Sequence, residues 1–145
     1  MRLTLYTDYA LRMLTYLALK GDELSTVGEI AEAYDISSNH LVKLTRELGH
    51  IGIIETSRGR NGGLRLALPA DKINIGALIR HTEDDSQHVT CFTAATNQCC
   101  IMPGCKLRQK LHQALEAYYA VLDEVTLADL VSHPLPLRRL LALPA

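Results

Sequence analysis

Outside residues 91–105 this 145-residue chain contains no cysteine, so its fold cannot depend on a disulfide framework that spans the chain. It also lacks an unbroken apolar run. Arg2, Asp8 and Arg12 interrupt the N-terminal MRLTLYTDYALRMLTYLALKG, and no small-residue cleavage site follows it, which argues against a signal peptide or a transmembrane span. The expected location is cytoplasmic, with no membrane partner, and there clustered thiols bind metal or carry redox chemistry rather than lock disulfides. No Lys or Arg lies between His81 and Cys105, where Glu83, Asp84 and Asp85 stand. A catalytic constellation is missing as well. His40, His50, His81, His88, His112 and His133 are scattered, and no Ser-His-Asp or paired-carboxylate pattern accompanies them, so enzymatic activity is not expected.

The hydrophobic content of 48% and the length suit one domain with a core, or a small domain with an extension. The net charge of -1 conceals a division. Lys43, Arg46, Arg58, Arg60 and Arg65 face only Glu47 and Glu55 in one stretch, whereas the segment with the cysteines is acidic and rich in sulfur.

Apolar spacing places a first helix on the stripe Ala10, Met13, Leu14, Leu17 and Ala18, with Thr7 as N-cap and Gly21 as its stop. Thr26 and Glu29 have capping-box spacing, which predicts a short second helix with Val27, Ile30 and Ala31 inward. Asp35-Ile36-Ser37 is a tight turn. Ser37 then caps a third helix on Leu41, Leu44, Thr45 and Leu48, closed by Gly49 and Gly52. Two short helices across such a turn make a helix-turn-helix.

IIETS, RGRNGG and LRLAL follow as two β-like runs joined by a glycine-rich tip with Arg58, Arg60 and Asn61. That hairpin is the wing of a winged helix. On the third helix Ser38, Asn39, His40, Lys43 and Arg46 lie off the apolar stripe, and such side chains suit base edges or phosphates. Singly, each of these residues reads as solvated surface and the tip as an ordinary turn. The ordered series of short helix, turn, polar-faced helix and basic hairpin carries the DNA-binding reading.

After Pro69 the run IGALIRHTE predicts another short helix leading into the cysteines. Beyond Cys105, Leu107, Leu111, Leu115, Tyr118, Leu122 and Val125 form a helical seam, fit to pack on its own domain or, as preferred here, on a second copy that sets the spacing of two readers. The tail from Ser132, with Pro134, Pro136 and Pro144, is expected to be loosely held, with Leu135, Leu137, Leu140 and Leu141 available to dock. The expected fold is therefore mainly α with a small β-hairpin wing. It divides into a winged helix-turn-helix (1–80), a cysteine-rich cluster-binding loop (81–105), a long C-terminal dimerisation helix (106–125) and a tail (126–145).

The spacing in CFTAATNQCCIMPGC fits neither the paired knuckles of a zinc site nor a C-x2-C redox pair. An iron-sulfur cluster tolerates looser spacing, and Pro103-Gly104 beside Cys105 gives the loop a turn with room for it. Cys99 and Cys100 are adjacent and need not face one centre, which leaves three ligands with a spare, or four.

YTDYALRMLTYLA, ISSNHLVKLTRELGHIGIIETSRGRNGGLRLA and C-x7-CCIMPGCKL together resemble the NsrR group of iron-sulfur winged-helix repressors, relatives of IscR and RirA, over the chain from its start to about Val125. The resemblance implies a cytoplasmic homodimer on a partly palindromic operator, with an iron-sulfur cluster that nitric oxide attacks to release DNA; both 4Fe-4S and 2Fe-2S clusters fit, with 4Fe-4S preferred. It carries the ligand cysteines onto Cys91, Cys99 and Cys105, with Cys100 a departure. It also makes Asp8 of the other subunit the fourth ligand. Read from its neighbours alone, Asp8 needs no metal, because a first-turn carboxylate favours the helix dipole and pairs with Arg12. IscR-like relatives carry a histidine three residues after the last cysteine, where this chain has Arg108; His112 falls further along the helix. Two other readings remain: a sensor of iron, cluster supply or thiol oxidation on the same fold, and an electron-transfer protein or thiol oxidoreductase.

Overall fold

The computed structural model describes residues 3–59, 62–83 and 99–144. Among them run α1 (Leu5–Lys20), α2 (Val27–Tyr34), α3 (Ser38–His50), strands β1 (Ile54–Ser57) and β2 (Gly63–Leu66), then α4 (Ile75–Thr82), α5 (Lys106–Asp123), α6 (Leu127–Leu130) and α7 (Pro134–Leu140). The architecture is mainly helical with one two-stranded antiparallel sheet, as the periodicity indicated.

Helix α1 is the axis. It touches α2, α3, α4, α6, α7 and β2, and Ala10, Met13, Leu14 and Leu17 of its stripe are fully buried. It begins earlier than the expected Thr7. Thr4 is the N-cap and its hydroxyl accepts from the Thr7 amide at 3.3 Å. Thr7 is itself fully buried, and its hydroxyl donates to Thr82 Oγ1 at 2.9 Å. A hydroxyl committed to bridging two helices is not free to end one. Gly21 closes α1 at φ 68, a left-handed conformation that a Cβ disfavours.

The reciprocal capping box of Thr26 and Glu29 opens α2, and Asp35 in the left-handed region at φ 51 turns the chain into α3. Ser37 stands at the N-cap of α3, but its hydroxyl makes no capping bond. Leu41, Leu44 and Leu48 are fully buried and α3 runs through Gly49 to His50, so only Gly52, at φ 74, marks the turn beyond it. Losing a side chain such as Leu44 from this core would cost about 2–5 kcal/mol.

In the wing, Ile54 faces Leu66, Glu55 faces Arg65, Thr56 faces Leu64 and Ser57 faces Gly63. Ser25 pairs with Leu64 through two backbone bonds of 2.7 and 2.9 Å, which fastens β2 to the segment before α2. A Cβ on Gly63 would stand 2.9 Å from the Ser25 carbonyl oxygen, so that close approach needs glycine.

The C-terminal third departs from expectation. The seam of α5 divides: Leu115, Tyr118, Leu122 and Val125 pack on the chain's own core, while Leu107 remains 66% exposed. Tyr119, off the seam, is the buried residue of the helix. The tail is not loose. Leu127 is fully buried, and Pro134 and Pro136 sit in the first turn of α7, where a missing N–H loses no helical bond. Arg138 Nη1 donates to the Leu19 carbonyl at 2.5 Å, which docks α7 on the end of α1.

Candidate functional site

Two sets of side chains, one for DNA and one for metal, must be placed on this frame. The first lies on α3. Because Leu41, Leu44 and Leu48 turn inward, Ser38, Asn39, His40, Lys43 and Arg46 are all left exposed. The His40 ring lies 5.8 Å from that of Tyr9 on α1, and Lys43 Nζ stands 5.8 Å from the Tyr6 centroid. Arg58 is exposed where β1 ends, and Gly59 follows at φ 110. Arg60 and Asn61, the remaining wing residues of interest, lie outside the described residues. The exposed helix face and the hairpin end thus share a basic character, in part because the acid of the wing, Glu55, is paired with Arg65 across the strands.

The second set surrounds the approach to α5. Cys99 and Cys100 are exposed, and Cys105 is half-buried. A short 3-10 turn, Met102–Gly104, separates them, built on the Pro103-Gly104 pair. Cys105 is the N-cap of α5, and its Sγ accepts from the Arg108 amide at 3.4 Å. Cys91 lies outside the described residues. Among those described, no three His, Cys, Asp or Glu side chains gather at metal-binding range.

Asp8 makes a 2.9 Å ion pair with Arg12, four residues on, and both side chains are about two-fifths exposed. The Arg12 guanidinium also lies over the Tyr34 ring at 5.7 Å, a link from α1 to α2. The local pairing expected of Asp8 is therefore present in the single chain. His112 is exposed on α5.

Sequence reasoning missed a group of residues behind the reader. The Tyr6 phenol donates to Glu47 Oε2, and burial, then the bond to Glu47, hold that phenol well above its ordinary pKa. His81 Nε2 lies 3.2 Å from Glu47 Oε1. Glu83, only 8% exposed, accepts from the Thr4 amide at 2.8 Å and from its hydroxyl at 2.9 Å. These partners are 41, 34 and 79 positions apart, and no local pattern could have joined them.

A model of the Rrf2 family, described as an iron-dependent transcriptional regulator, matches residues 3–133. The chain belongs to the Rrf2 family. Its full length is similar to HTH-type transcriptional regulators NsrR: 52% identical to that of Halalkalibacterium halodurans, over 99% of each chain, and 51% identical to that of Bacillus subtilis, over 97% of each. This Rrf2 member is therefore a transcriptional regulator of the NsrR type. The structure of Staphylococcus aureus CymR in its oxidized form superposes with a TM-score of 0.72 at 28% identity, covering 92% of this chain and 98% of that one. T. potens IscR shares the fold, with a TM-score of 0.73 at 22% identity over 91% of this chain and 87% of that one. Within the Rrf2 fold the donors suit an iron-sulfur cluster. They are soft thiols, Cys99 and Cys100 exposed and Cys105 seated at a helix N-terminus across a single turn.

Proposed function

We propose that the protein is a homodimeric repressor that holds a partly palindromic operator while an iron-sulfur cluster is bound and releases it in response to nitric oxide. Cys91, Cys99 and Cys105 hold the cluster, with Asp8 of the other subunit at its remaining corner and Cys100 as a spare thiol. A bound cluster supplies iron with which nitric oxide reacts. The observation that carries the reading is the position of Cys105 at the N-cap of α5, separated from Cys99 and Cys100 by a single short turn. It is supported by the identity of about half the residues to NsrR regulators along the whole chain.

In this reading Lys43, Arg46, Arg58 and Arg60 neutralise phosphates or read bases, with Ser38, Asn39, His40 and Asn61 beside them. Two such readers need a fixed separation to fit successive major grooves. The exposed Leu107 and Ile101, 66% and 64% accessible, mark the start of α5 as the face that meets the second copy. Asp8 ties the first helix of one subunit to the cysteines of its partner. When that tie is lost, so is the spacing of the readers. Among the described residues no helix is long and apolar enough to cross a membrane, which agrees with a cytoplasmic regulator.

The test is anaerobic purification with iron and sulfide analysis, followed by operator binding on loaded, nitric-oxide-treated and apo samples. Tight binding by the loaded form alone supports the proposal; equal binding by all three overturns it. The family's description as iron-dependent favours a second reading, iron status as the signal. Release on iron chelation, with binding unaffected by nitric oxide, would select it.

A further inference from the structure

The reader helix carries one carboxylate that side chains from two other helices approach. Glu47 of α3 accepts the Tyr6 phenol of α1 on one oxygen and faces His81 Nε2 of α4, 3.2 Å away, with the other. Neither partner sits at a neutral place in the chain. Tyr6 precedes Asp8 by two residues, and His81 lies on the last turn of the helix that leads into the cysteine-bearing segment.

That last turn is itself a junction. Four consecutive residues reach three different helices or their caps. Arg80 bonds Asp123 at the end of α5, His81 meets Glu47 of α3, Thr82 takes the Thr7 hydroxyl of α1, and Glu83 takes the Thr4 cap of α1. α5 in turn begins directly after Cys105. Helix α5, which follows Cys105, and α1, which carries Asp8, are thus connected to this turn, and the His81 contact leads from it to the reader. Lys43 Nζ, on the exposed side of the reader, stands 5.8 Å from the centroid of the same Tyr6 ring.

We infer that Glu47 is a positioning residue of the sensing response: its bridge between Tyr6 and His81 sets the pose of α3 and carries the state of the cluster to the operator-binding face. The inference rests on the proposed cluster-dependent repression. It adds the route by which the two ends communicate. Glu47 is half-buried beside Tyr6, one turn along α3 from the exposed Lys43, and in this role it acts through Tyr6 and His81 rather than on DNA.

The experiment uses the full chain, wild type and the variants Glu47→Ala, Tyr6→Phe and His81→Ala, each measured for operator affinity in the cluster-loaded and apo states. Tyr6→Phe keeps the ring beneath Lys43 and removes only the O–H donor. Iron content and absorption spectrum should match wild type in all three. The ratio of operator affinities, loaded over apo, should fall by roughly fivefold or more, the lower end of couplings measured between distinct sites. The fall should come from the loaded state. Equal weakening in both states would show a scaffold contact, and an unchanged ratio would show an idle one; either overturns the inference. Should Glu47→Ala fail to fold, the other two variants each remove one arm and are read in the same way. Wild-type protein with no difference between loaded and apo forms would instead defeat the sensing reading, and the inference with it.

Discussion

Arg80 donates in parallel to both carboxylate oxygens of Asp123, at 2.5 and 2.7 Å, while its guanidinium lies 4.2 Å from the centroid of the Tyr119 ring. The pair ties α4, which enters the cysteine segment, to α5, which leaves it. Bidentate geometry and ring stacking are what distinguish it from an ordinary surface ion pair.

Arg80 lowers the pKa of Asp123 from its ordinary 3.8, first through the hydrogen bond and then through its charge. A carboxyl that titrates lower when folded stabilises the fold above its unfolded pKa, and that contribution disappears as the pH falls through the folded value. Asp123→Asn should therefore lower the urea midpoint at neutral pH. The gap to wild type should begin to close as the pH falls below about 4 and vanish below the lowered pKa of Asp123. A gap of constant size down to strongly acid pH would remove the ion pair as its cause.

Gly76 faces the same carboxylate. A Cβ there would stand 2.9 Å from the Asp123 amide nitrogen and closer still to its side chain. Gly76→Ala should destabilise the protein by about 1–3 kcal/mol, as overfilling a close contact does, and should loosen the Arg80 pair with it. Chemical denaturation of the single and the Gly76→Ala/Asp123→Asn double variant checks both points: the double should lose less than the sum of the singles.

On the reader, Lys43→Ala or Arg58→Ala should weaken binding to operator and random DNA alike and reduce the salt slope by about one if the side chain neutralises a single phosphate. Arg46→Ala tests the alternative, relaxed preference at one base pair. The measurement is affinity against salt concentration for both DNAs. No change after Arg58 and Arg60 are both replaced would exclude the wing.

Among the cysteines, Cys91→Ala, Cys99→Ala and Cys105→Ala should each abolish stable cluster incorporation, whereas Cys100→Ala should keep it. Iron and sulfide content decide the matter. Retention by Cys99→Ala with loss in Cys100→Ala would exchange the roles of the adjacent pair. Oligomer mass on the same samples should show a dimer throughout if α5, as proposed, rather than the cluster holds the copies together.

Much of the reader was legible because its signals are local. The capping box of Thr26 and Glu29, the turn at Asp35 and the three buried leucines of α3 depend on residues within a few positions of one another. The hairpin was legible for the same reason. The start of α1 was misplaced by three residues because Thr4 and Thr7 look alike in a sequence; only the Thr82 hydroxyl across the fold distinguishes them. The helix in the tail was not legible because its prolines read as breakers until their place in the first turn of α7 is known; of the leucines available to dock, Leu141 packs on the core while Leu135 and Leu140 stay exposed.

The sequence by itself determined the helix-turn-helix and wing, the confinement of every thiol to one acidic segment and the membership of the Rrf2 family, since each depends on residue type and short-range spacing. The division of the α5 seam, the docking of the tail through Arg138 and the meeting of Tyr6, Glu47 and His81 were decided only by tertiary structure. Each joins residues whose approach depends on how whole helices are oriented, and helix orientation is set by the sum of many apolar contacts rather than by any motif that a stretch of sequence displays.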